Sequence, residues 1–247
     1  MKKIISQFLK SLFIVIFLIS CSFPTKYYVS KIIDGDTIKL SSGKIVRYIG
    51  IDTPEIMPEP EEYAVEAKRL NKALVEGKEV KLEFDKVKKD KYDRILAYVY
   101  FNNQMVNSLM LSRGAAIVFN IYPNIKYADE FLALQKQAQI LNKGIWRDKK
   151  PIHANHAKYF LKQIQTVTGK IVSVKTTDKT YKLYFSHDIE NSFKLTIFKT
   201  SIPVFIEGNI DPETFYLNKR LLISGKIKDF NGPELVIGIP DEIMILK

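Results

Sequence analysis

The sequence lacks three features that would take it outside the ordinary globular proteins. It has one cysteine in 247 residues, which excludes a framework of intramolecular disulfides. It has no apolar run approaching the ~18 residues that cross a bilayer, which excludes a polytopic membrane protein. Glycine and proline number only 11 and 10, too few for a collagen-like chain. The chain is 46% apolar and 26% charged, which suits one large domain or two of ordinary size.

Acidic residues are scarce relative to basic ones. The chain has 38 lysines and arginines against 27 acids, a formal net charge of +11, and its pI is about 9.4. This balance favours an anionic partner, which can be nucleic acid, a phosphorylated ligand or a membrane surface. Charge alone does not choose among the three.

The N-terminus has the pattern of a targeting segment. Lys2 and Lys3 precede an apolar stretch over 12–19, which predicts a secretory signal peptide over 1–20. The tetrapeptide Leu18-Ile19-Ser20-Cys21 resembles a bacterial lipobox, in which Cys21 becomes the lipid-modified first residue of the mature chain. The alternative is an ordinary signal peptide followed by an incidental cysteine. With residues 21–26 as a tether, we expect an exported protein of the bacterial cell envelope, periplasmic or on the cell surface, anchored to a membrane by its lipid. Cleavage before Cys21 removes three lysines and no acid, so the net charge falls from +11 to +8.

Residues 27–148 have the pattern of a strand meander with inserted helices. Apolar alternation and Asp-Gly or Ser-Gly turns predict strands over 27–33, 37–40, 44–51, 80–84 and 95–101. Helical spacing predicts helices over about 63–74, around 106–110 and over 127–142. Five strands with helices between them predict a mainly β fold built on a small barrel.

The polar, basic stretch 149–165 looks like a linker between two domains. Beyond it, strands are predicted over 167–174, 181–185, 193–198, 221–227 and 235–239. Residues 166–247 are therefore predicted to form a second, all-β domain.

Two acidic residues stand at strand ends in the first domain. Asp36 opens one predicted strand and Asp52 closes a neighbouring one, so both carboxylates can converge at one end of the sheet. Two carboxylates with carbonyl and water oxygens, and no Cys or His, suit a hard cation such as calcium, magnesium or manganese.

Two arginines and a glutamate complete a possible phosphate site. Arg47 and Asp52 would face opposite ways on an uninterrupted strand, so the site requires a bend near Gly50. Arg94 arrives from another loop, and two guanidinium groups can bind one phosphate. Glu55 could accept a proton from an attacking water. Together these groups suit hydrolysis of a phosphodiester.

The stretch from about Tyr27 to Trp146 resembles the staphylococcal nuclease (thermonuclease) family. The resemblance implies an OB-fold barrel with three helices and a calcium-dependent nuclease that cleaves DNA and RNA to leave 3′-phosphates. It is carried by these residues: Ile33-Asp34-Gly35-Asp36-Thr37, Arg47, Asp52-Thr53-Pro54-Glu55, Asp90-Lys91-Tyr92, Arg94, Met105-Val106-Asn107, Gly114 and Gly144-Ile145-Trp146.

The resemblance also implies a role for each matching residue. Asp36 and Asp52 would be the calcium carboxylates, and Thr53 would offer its main-chain carbonyl. Glu55 would be the base or the group that orients water, and Arg47 and Arg94 would hold the phosphate. The remaining substrate contacts would come from Lys91 and Tyr92 at a terminal phosphate and from Tyr122 near the base pocket.

Two positions depart from the family pattern. Asp93 stands where the family has glycine, which sets a like charge beside the incoming phosphate, although Asp tolerates a left-handed backbone. Asn120 stands where a second pocket tyrosine is typical, so one surface for base stacking is expected to be missing.

The second domain resembles the OB-type nucleic-acid-binding modules that accompany some of these nucleases. The resemblance implies stacking by Tyr184, Phe193 or Phe198 and phosphate contacts from Lys182, Lys194 and Lys199. The alternative is that these aromatics fill a core. For the whole chain we expect a monomer that acts on DNA and RNA, single strands preferred. The rival function is an envelope-tethered protein that binds nucleic acid without cleaving it.

Overall fold

The computed structural model describes residues 26–190 and 192–246. The predicted signal peptide, Cys21 and most of the predicted tether lie outside the described residues. Lys26, the last residue assigned to that tether, already belongs to the first strand.

Strands and three helices alternate through the first part of the chain. A 3-10 turn over Gly144–Trp146 ends this part. The elements are β1 (Lys26–Asp34), β2 (Thr37–Leu40), β3 (Ile45–Tyr48), β4 (Gly50–Asp52), α1 (Ala64–Val75), β5 (Glu79–Glu83), β6 (Ile95–Phe101), β7 (Gln104–Met105), α2 (Val106–Ser112), β8 (Ile117–Phe119) and α3 (Ala128–Ile140).

Five of these strands close into a barrel. Strands β3, β2, β1, β5 and β6 are hydrogen-bonded in that order, and β3 also pairs with β6 in parallel, with Val46 opposite Ile95. Alternate residues of the meander, among them Ile38, Leu40 and Val46, point into the barrel and are fully buried. The predicted barrel with three helices is confirmed.

The region predicted as one strand over 44–51 is two strands. β3 ends at Tyr48 and β4 begins at Gly50, whose φ of +76° is the left-handed conformation that glycine adopts readily. A side chain is also excluded here, because a Cβ on Gly50 would lie 2.6 Å from the Phe131 ring. After the bend, β4 leaves the barrel and pairs with β8. This is the bend that the site requires.

The helices cover the barrel with their apolar faces. In α1, Ala64, Ala67 and Val75 are buried at helical spacing, and the chain turns away at Gly77, where φ is +71°. Helix α3 buries Phe131, which packs against Tyr98 of β6 with ring centroids 6.0 Å apart.

The second part of the chain is rich in strands, as expected, and forms two sheets. The elements are β9 (Ile152–His153), β10 (Ile164–Lys170), β11 (Ser173–Thr176), β12 (Thr180–Tyr184), β13 (Lys194–Phe198), α4 (Ile202–Glu207), β14 (Arg220–Lys226), β15 (Lys228–Asp229), β16 (Pro233–Ile237) and β17 (Ile243–Leu246). The sheet orders are β17-β14-β10-β9 and β11-β12-β13-β16-β15. A Cβ on Gly225 of β14 would lie 2.9 Å from Leu235 of β16, so the two sheets pack closely around a second apolar core.

The stretch 149–165 is not extended chain between the two parts. It contains β9, a 3-10 segment over Ala154–Phe160 and the start of β10. Ala154 and Ala157 are buried in the second core, and Ile152 pairs with Val167. The residues assigned to the linker therefore pack as part of the second half.

Direct contacts join the two halves. Ile164 packs with Ile117, Ala138 and Trp146 in a small apolar cluster, and Gln139 Nε2 donates to Ser224 Oγ at 2.8 Å. In the part of the chain that the structure describes, no helix has the length and apolarity needed to cross a membrane.

Candidate active site

Asp36 is fixed at the end of the β1–β2 turn by its own hydrogen bonds. Its Oδ2 accepts from the Thr53 N–H at 2.9 Å and from Thr53 Oγ1 at 3.1 Å, and its Oδ1 accepts from Thr37 Oγ1 at 2.9 Å. The turn lies directly on Thr53, because a Cβ on Gly35 would be 2.6 Å from Thr53 Oγ1. The bonds tie the start of β2 to the residue that follows β4.

Arg47 bridges Asp36 and Asp52. Its Nη1 lies 2.7 Å from Asp36 Oδ2 and its Nη2 lies 2.6 Å from Asp52 Oδ1, and all three side chains are largely buried. Nη1 also donates to the Ile51 carbonyl at 3.0 Å across the bend at Gly50. The carboxylates predicted to converge do so, with the guanidinium between them.

Burial and neighbouring charges shift the pKa of Arg47 and that of Asp52. Burial alone would lower the pKa of Arg47, but the carboxylates of Asp36 and Asp52 raise it above its ordinary value. Burial raises the pKa of Asp52, against the opposing effect of Arg47. Arg47 therefore stays charged, and one guanidinium faces two carboxyl groups.

Glu55 lies at the exposed edge of the same acidic group. Partial burial, contact with Asp34 and the charges of Asp36 and Asp52 raise its pKa to about 7. Its main chain is bound at both ends by one residue: the Glu55 N–H donates to Glu61 Oε2 at 2.9 Å, and the Glu61 N–H donates to the Glu55 carbonyl at 2.9 Å.

Arg94 reaches the same cleft as Arg47 from the loop before β6. Its Nε donates to Asp90 Oδ2 at 2.7 Å, and its guanidinium carbon lies 5.6 Å from the centre of the Tyr92 ring. Both arginines line a cleft of about 400 Å³ that also includes Lys91, Tyr92 and Tyr122. Asp36 and Asp52 contact Arg47 but are not among the residues that line this cleft.

The structure shows the contacts of Asp93 and Asn120, the two residues that depart from the family pattern. Asp93 takes φ +64°, the left-handed backbone expected there, and its carboxylate is 81% exposed and 2.6 Å from Lys89 Nζ. Asn120 is buried and lies outside the cleft lining, and its Nδ2 donates to Glu242 Oε1 at 2.8 Å.

The aromatics expected to stack in the second half are mostly buried. Tyr184 and Phe193 lie inside, and the Lys194 ammonium is held under a turn by the carbonyls of Phe230, Asn231 and Gly232 at 2.9, 2.9 and 3.3 Å. These side chains therefore cannot bind nucleic acid as expected, whereas Phe198 is exposed.

The site has contacts that no local pattern in the sequence indicates. Lys228 Nζ lies 4.6 Å from the centre of the Phe119 ring, which lines the cleft, and Lys226 Nζ lies 2.6 Å from Glu61 Oε2. The contact between Asp90 and Arg94 differs from these two, because it is local and both residues belong to a motif already recognised in the sequence.

The donor set fits a hard divalent cation. Asp36, Asp52 and the Thr53 carbonyl offer oxygen only, and four acidic side chains, Asp34, Asp36, Asp52 and Glu55, act on the one guanidinium of Arg47. Among residues 26–190 and 192–246, no three Asp, Glu, His or Cys side chains form a ligating cluster. Carbonyl and water oxygens would have to complete the coordination.

Comparison with known proteins agrees with this geometry. A family model described as staphylococcal nuclease homologue matches residues 45–148. The chain is 40% identical over 126 residues to the thermonuclease of Staphylococcus hyicus, covering 49% of this chain and 75% of that protein. It is 42% identical over 122 residues to endonuclease YncB of Bacillus subtilis (strain 168), covering 46% of this chain and 58% of that protein. It is 41% identical over 122 residues to the SPbeta prophage-derived endonuclease YokF of the same organism, covering 46% of this chain and 41% of that protein.

Fold, site and relatives define a phosphodiesterase of the nuclease class. The chain belongs to the staphylococcal nuclease (thermonuclease) family. The resemblance inferred from the sequence is confirmed, and the family model matches residues 45–148.

Proposed function

We propose that the chain is a calcium-dependent nuclease that hydrolyses phosphodiester bonds of DNA and RNA and leaves 3′-phosphate ends. The observation that carries the proposal is the buried bridge from Arg47 to Asp36 and Asp52, at the wall of a cleft that Arg94 also lines. The relatives named thermonuclease and endonuclease support the nuclease class.

Calcium would be held by Asp36, Asp52 and the Thr53 carbonyl. When bound, it supplies positive charge against the phosphate oxygens and neutralises the surplus of carboxylates.

The protein's own groups account for the remaining chemistry. Arg47 and Arg94 donate to the non-bridging phosphate oxygens and oppose the charge that develops there. Glu55 accepts a proton from a water whose oxygen bonds to phosphorus. The bond from phosphorus to the 5′ oxygen breaks, the electron pair leaves with that oxygen, and a proton from solvent completes the 5′-hydroxyl product.

The cleft also supports a preference for single strands. Tyr92 is 68% exposed beside Lys91, and Tyr122 lines the same cleft. Unpaired bases can stack on such rings while lysine meets the backbone, whereas bases inside a duplex are already stacked. We propose that a monomer acts in this way.

Cleavage of end-labelled single-stranded DNA tests the function directly. The wild type should cut in calcium, stop cutting in chelator and leave ends that a polymerase extends only after phosphatase treatment. Arg94→Ala should lose activity, and Arg69→Ala, an exposed arginine on α1, should not. Binding of DNA without calcium-dependent cleavage would instead support the non-catalytic rival.

We also propose that Cys21 anchors the protein to the bacterial envelope by a lipid. The support is the lipobox pattern, because Cys21 lies outside the described residues. The intact mass of the protein from membranes should exceed that of residues 21–247 by the attached lipid, and Cys21→Ser should carry no lipid. A wild-type protein that is released without acyl chains would remove this part of the proposal.

A further inference from the structure

The loop that carries Glu55 depends on Glu61 for its shape. Both main-chain polar groups of Glu55 bind Glu61, one through its N–H and one through its carboxylate, each at 2.9 Å. These two hydrogen bonds fix the main chain of Glu55 relative to Glu61. The position of Glu61 therefore determines the position of the Glu55 backbone, and with it the origin of the Glu55 side chain.

Glu61 is held from the other half of the molecule. Lys226 Nζ lies 2.6 Å from Glu61 Oε2, the same oxygen that accepts from the Glu55 N–H, and the two side chains are only 11% and 17% exposed. A carboxylate so little exposed needs a charged partner, and removing that partner is costly. The ion pair is therefore largely shielded from solvent, and it fixes the position of the Glu61 carboxylate.

Lys226 projects from a rigid element. It is the last residue of β14, which pairs with β10 from Lys226 opposite Ile164 to Arg220 opposite Lys170. Close to this end, Lys149 Nζ donates to the Ile164 carbonyl at 3.0 Å and to Glu62 Oε2 at 3.0 Å. The strand that carries Lys226 is thus fixed to the segment that carries Glu61.

A second contact joins the two halves next to β17. A Cβ on Gly238 would lie 2.1 Å from the Asn120 carbonyl oxygen, so the two backbones touch. Asn120 also donates to Glu242, which directly precedes β17, and β17 pairs with β14. This contact therefore restrains β14 relative to the first half through its neighbouring strand.

We propose that Lys226 is a positioning residue of the nuclease site, acting through Glu61 to hold Glu55 in place. The inference rests on the proposed function, in which Glu55 takes a proton from water. It gives the second half of the chain a part in the chemical step, distinct from any contact with substrate. Lys226 is not among the residues that line the cleft, and besides its contact with Glu61 its charge acts on Asp52, whose pKa it lowers against the larger effect of burial.

Steady-state kinetics of full-length variants on single-stranded DNA in calcium test the inference. Lys226→Met should lower kcat by on the order of tenfold to a hundredfold, since small displacements of a catalytic group have effects of this size. KM should stay within about twofold, because the cleft itself is unchanged. Lys226→Arg should restore most of kcat by keeping the ion pair.

Two further variants separate positioning from folding and from charge. Lys170→Met removes an exposed lysine at the end of β10 and should leave both constants unchanged. Glu61→Gln breaks the ion pair from the barrel side and should reproduce the loss in kcat, which decides the matter if Lys226→Met does not fold.

The outcomes are distinct. A folded Lys226→Met or Glu61→Gln with wild-type kcat, or a loss that appears in KM alone, overturns the positioning role while the nuclease function stands. A wild type with no calcium-dependent cleavage overturns both.

Discussion

At the scale of single residues, Arg47 is the centre of the site. Its guanidinium is the counter-charge for two buried carboxylates at 2.7 and 2.6 Å, and it also forms part of the cleft wall. One side chain therefore joins the buried carboxylates and, in the proposed mechanism, also binds phosphate. These two effects can be separated by changing the metal content of the solution.

Arg47→Ala should lower kcat/KM by about 10³ or more, the range found for other arginines that clamp a phosphate in its transition state. In chelator it should also lower the free energy of unfolding by about 3 kcal/mol, because Asp36 and Asp52 lose their partner. Calcium should recover part of that stability by binding the freed carboxylates. Kinetics and urea unfolding with and without calcium measure both effects. A loss of activity below tenfold would contradict the role of Arg47.

Glu242 has an effect on stability that depends on pH. Burial raises its pKa to about 7 from 4.5, even though hydrogen bonds from Gly238 and Asn120 lower it. The native protein therefore holds this proton more tightly than the unfolded chain, and stability falls as the pH rises from about 4.5 through 7. The full change is on the order of 3 kcal/mol.

The matched variant is Glu242→Gln, which cannot ionise. Unfolding by urea at pH 5 and pH 8 should show that the wild type loses stability, relative to the variant, at the higher pH. Subtracting the two proteins removes contributions shared with other groups, including Glu55. An identical pH dependence in both proteins would show that Glu242 does not titrate in this range.

At the scale of elements, the bend between β3 and β4 assembles the site. β3 carries Arg47, β4 ends at Asp52, and only the left-handed turn at Gly50 lets the two side chains meet. β4 is then held by β8, with Asp52 opposite Ile117.

Gly50→Ala and Gly43→Ala form a matched pair that tests this bend. Both glycines have positive φ, at +76° and +84°, but a Cβ on Gly43 would meet nothing within 4 Å, whereas one on Gly50 would meet Phe131 at 2.6 Å. Gly43→Ala should cost about 1 kcal/mol of backbone strain and leave kcat unchanged. Gly50→Ala should cost roughly 1–3 kcal/mol more from overpacking and lower kcat as well. Equal effects of the two substitutions on stability and kcat would argue against a special role for the bend.

The elements also show how far sequence patterns reach. Strands β2 and β6 can be predicted at their observed bounds, and the need for a bend near Gly50 follows from side-chain alternation. β8 is not predicted, because three residues are too short to show alternation. The strand that holds Asp52 is therefore visible only in the fold.

Some contacts of the site could likewise be predicted from the sequence, and others could not. The convergence of Asp36 and Asp52 could be predicted because both stand at strand ends of one meander. The pair of Lys226 and Glu61, and that of Asn120 and Glu242, join residues more than 100 positions apart with no shared pattern. Such contacts depend on how the two halves pack, which no local periodicity encodes.

At the scale of the whole molecule, the chain has two apolar cores and a continuous set of contacts between them. We propose a nuclease domain over 27–148 and a nucleic-acid-binding domain over 166–247. The stretch 149–165 packs against the second core rather than separating the domains. Without the three lysines of residues 1–20 the net charge is +8, of which +3 lies in residues 26–148 and +5 in residues 149–247, so the second half also attracts an anionic strand.

Lys228 is the residue best placed to continue the cleft. Its ammonium lies over Phe119 at the cleft wall, and Phe230, two residues further on, is 63% exposed. Lys228→Met should raise KM and leave kcat near the wild-type value, the reverse of the pattern expected for Lys226→Met.

If Lys228 binds one phosphate, its replacement should reduce the slope of log binding constant against log salt by about 0.7 for a single strand. Titrations of single-stranded DNA in chelator at several salt concentrations measure that slope, with Lys170→Met as the control for the removal of one exposed charge. If both variants keep the wild-type slope, Lys228 binds no phosphate, and the substrate strand leaves the cleft without touching this part of the second half.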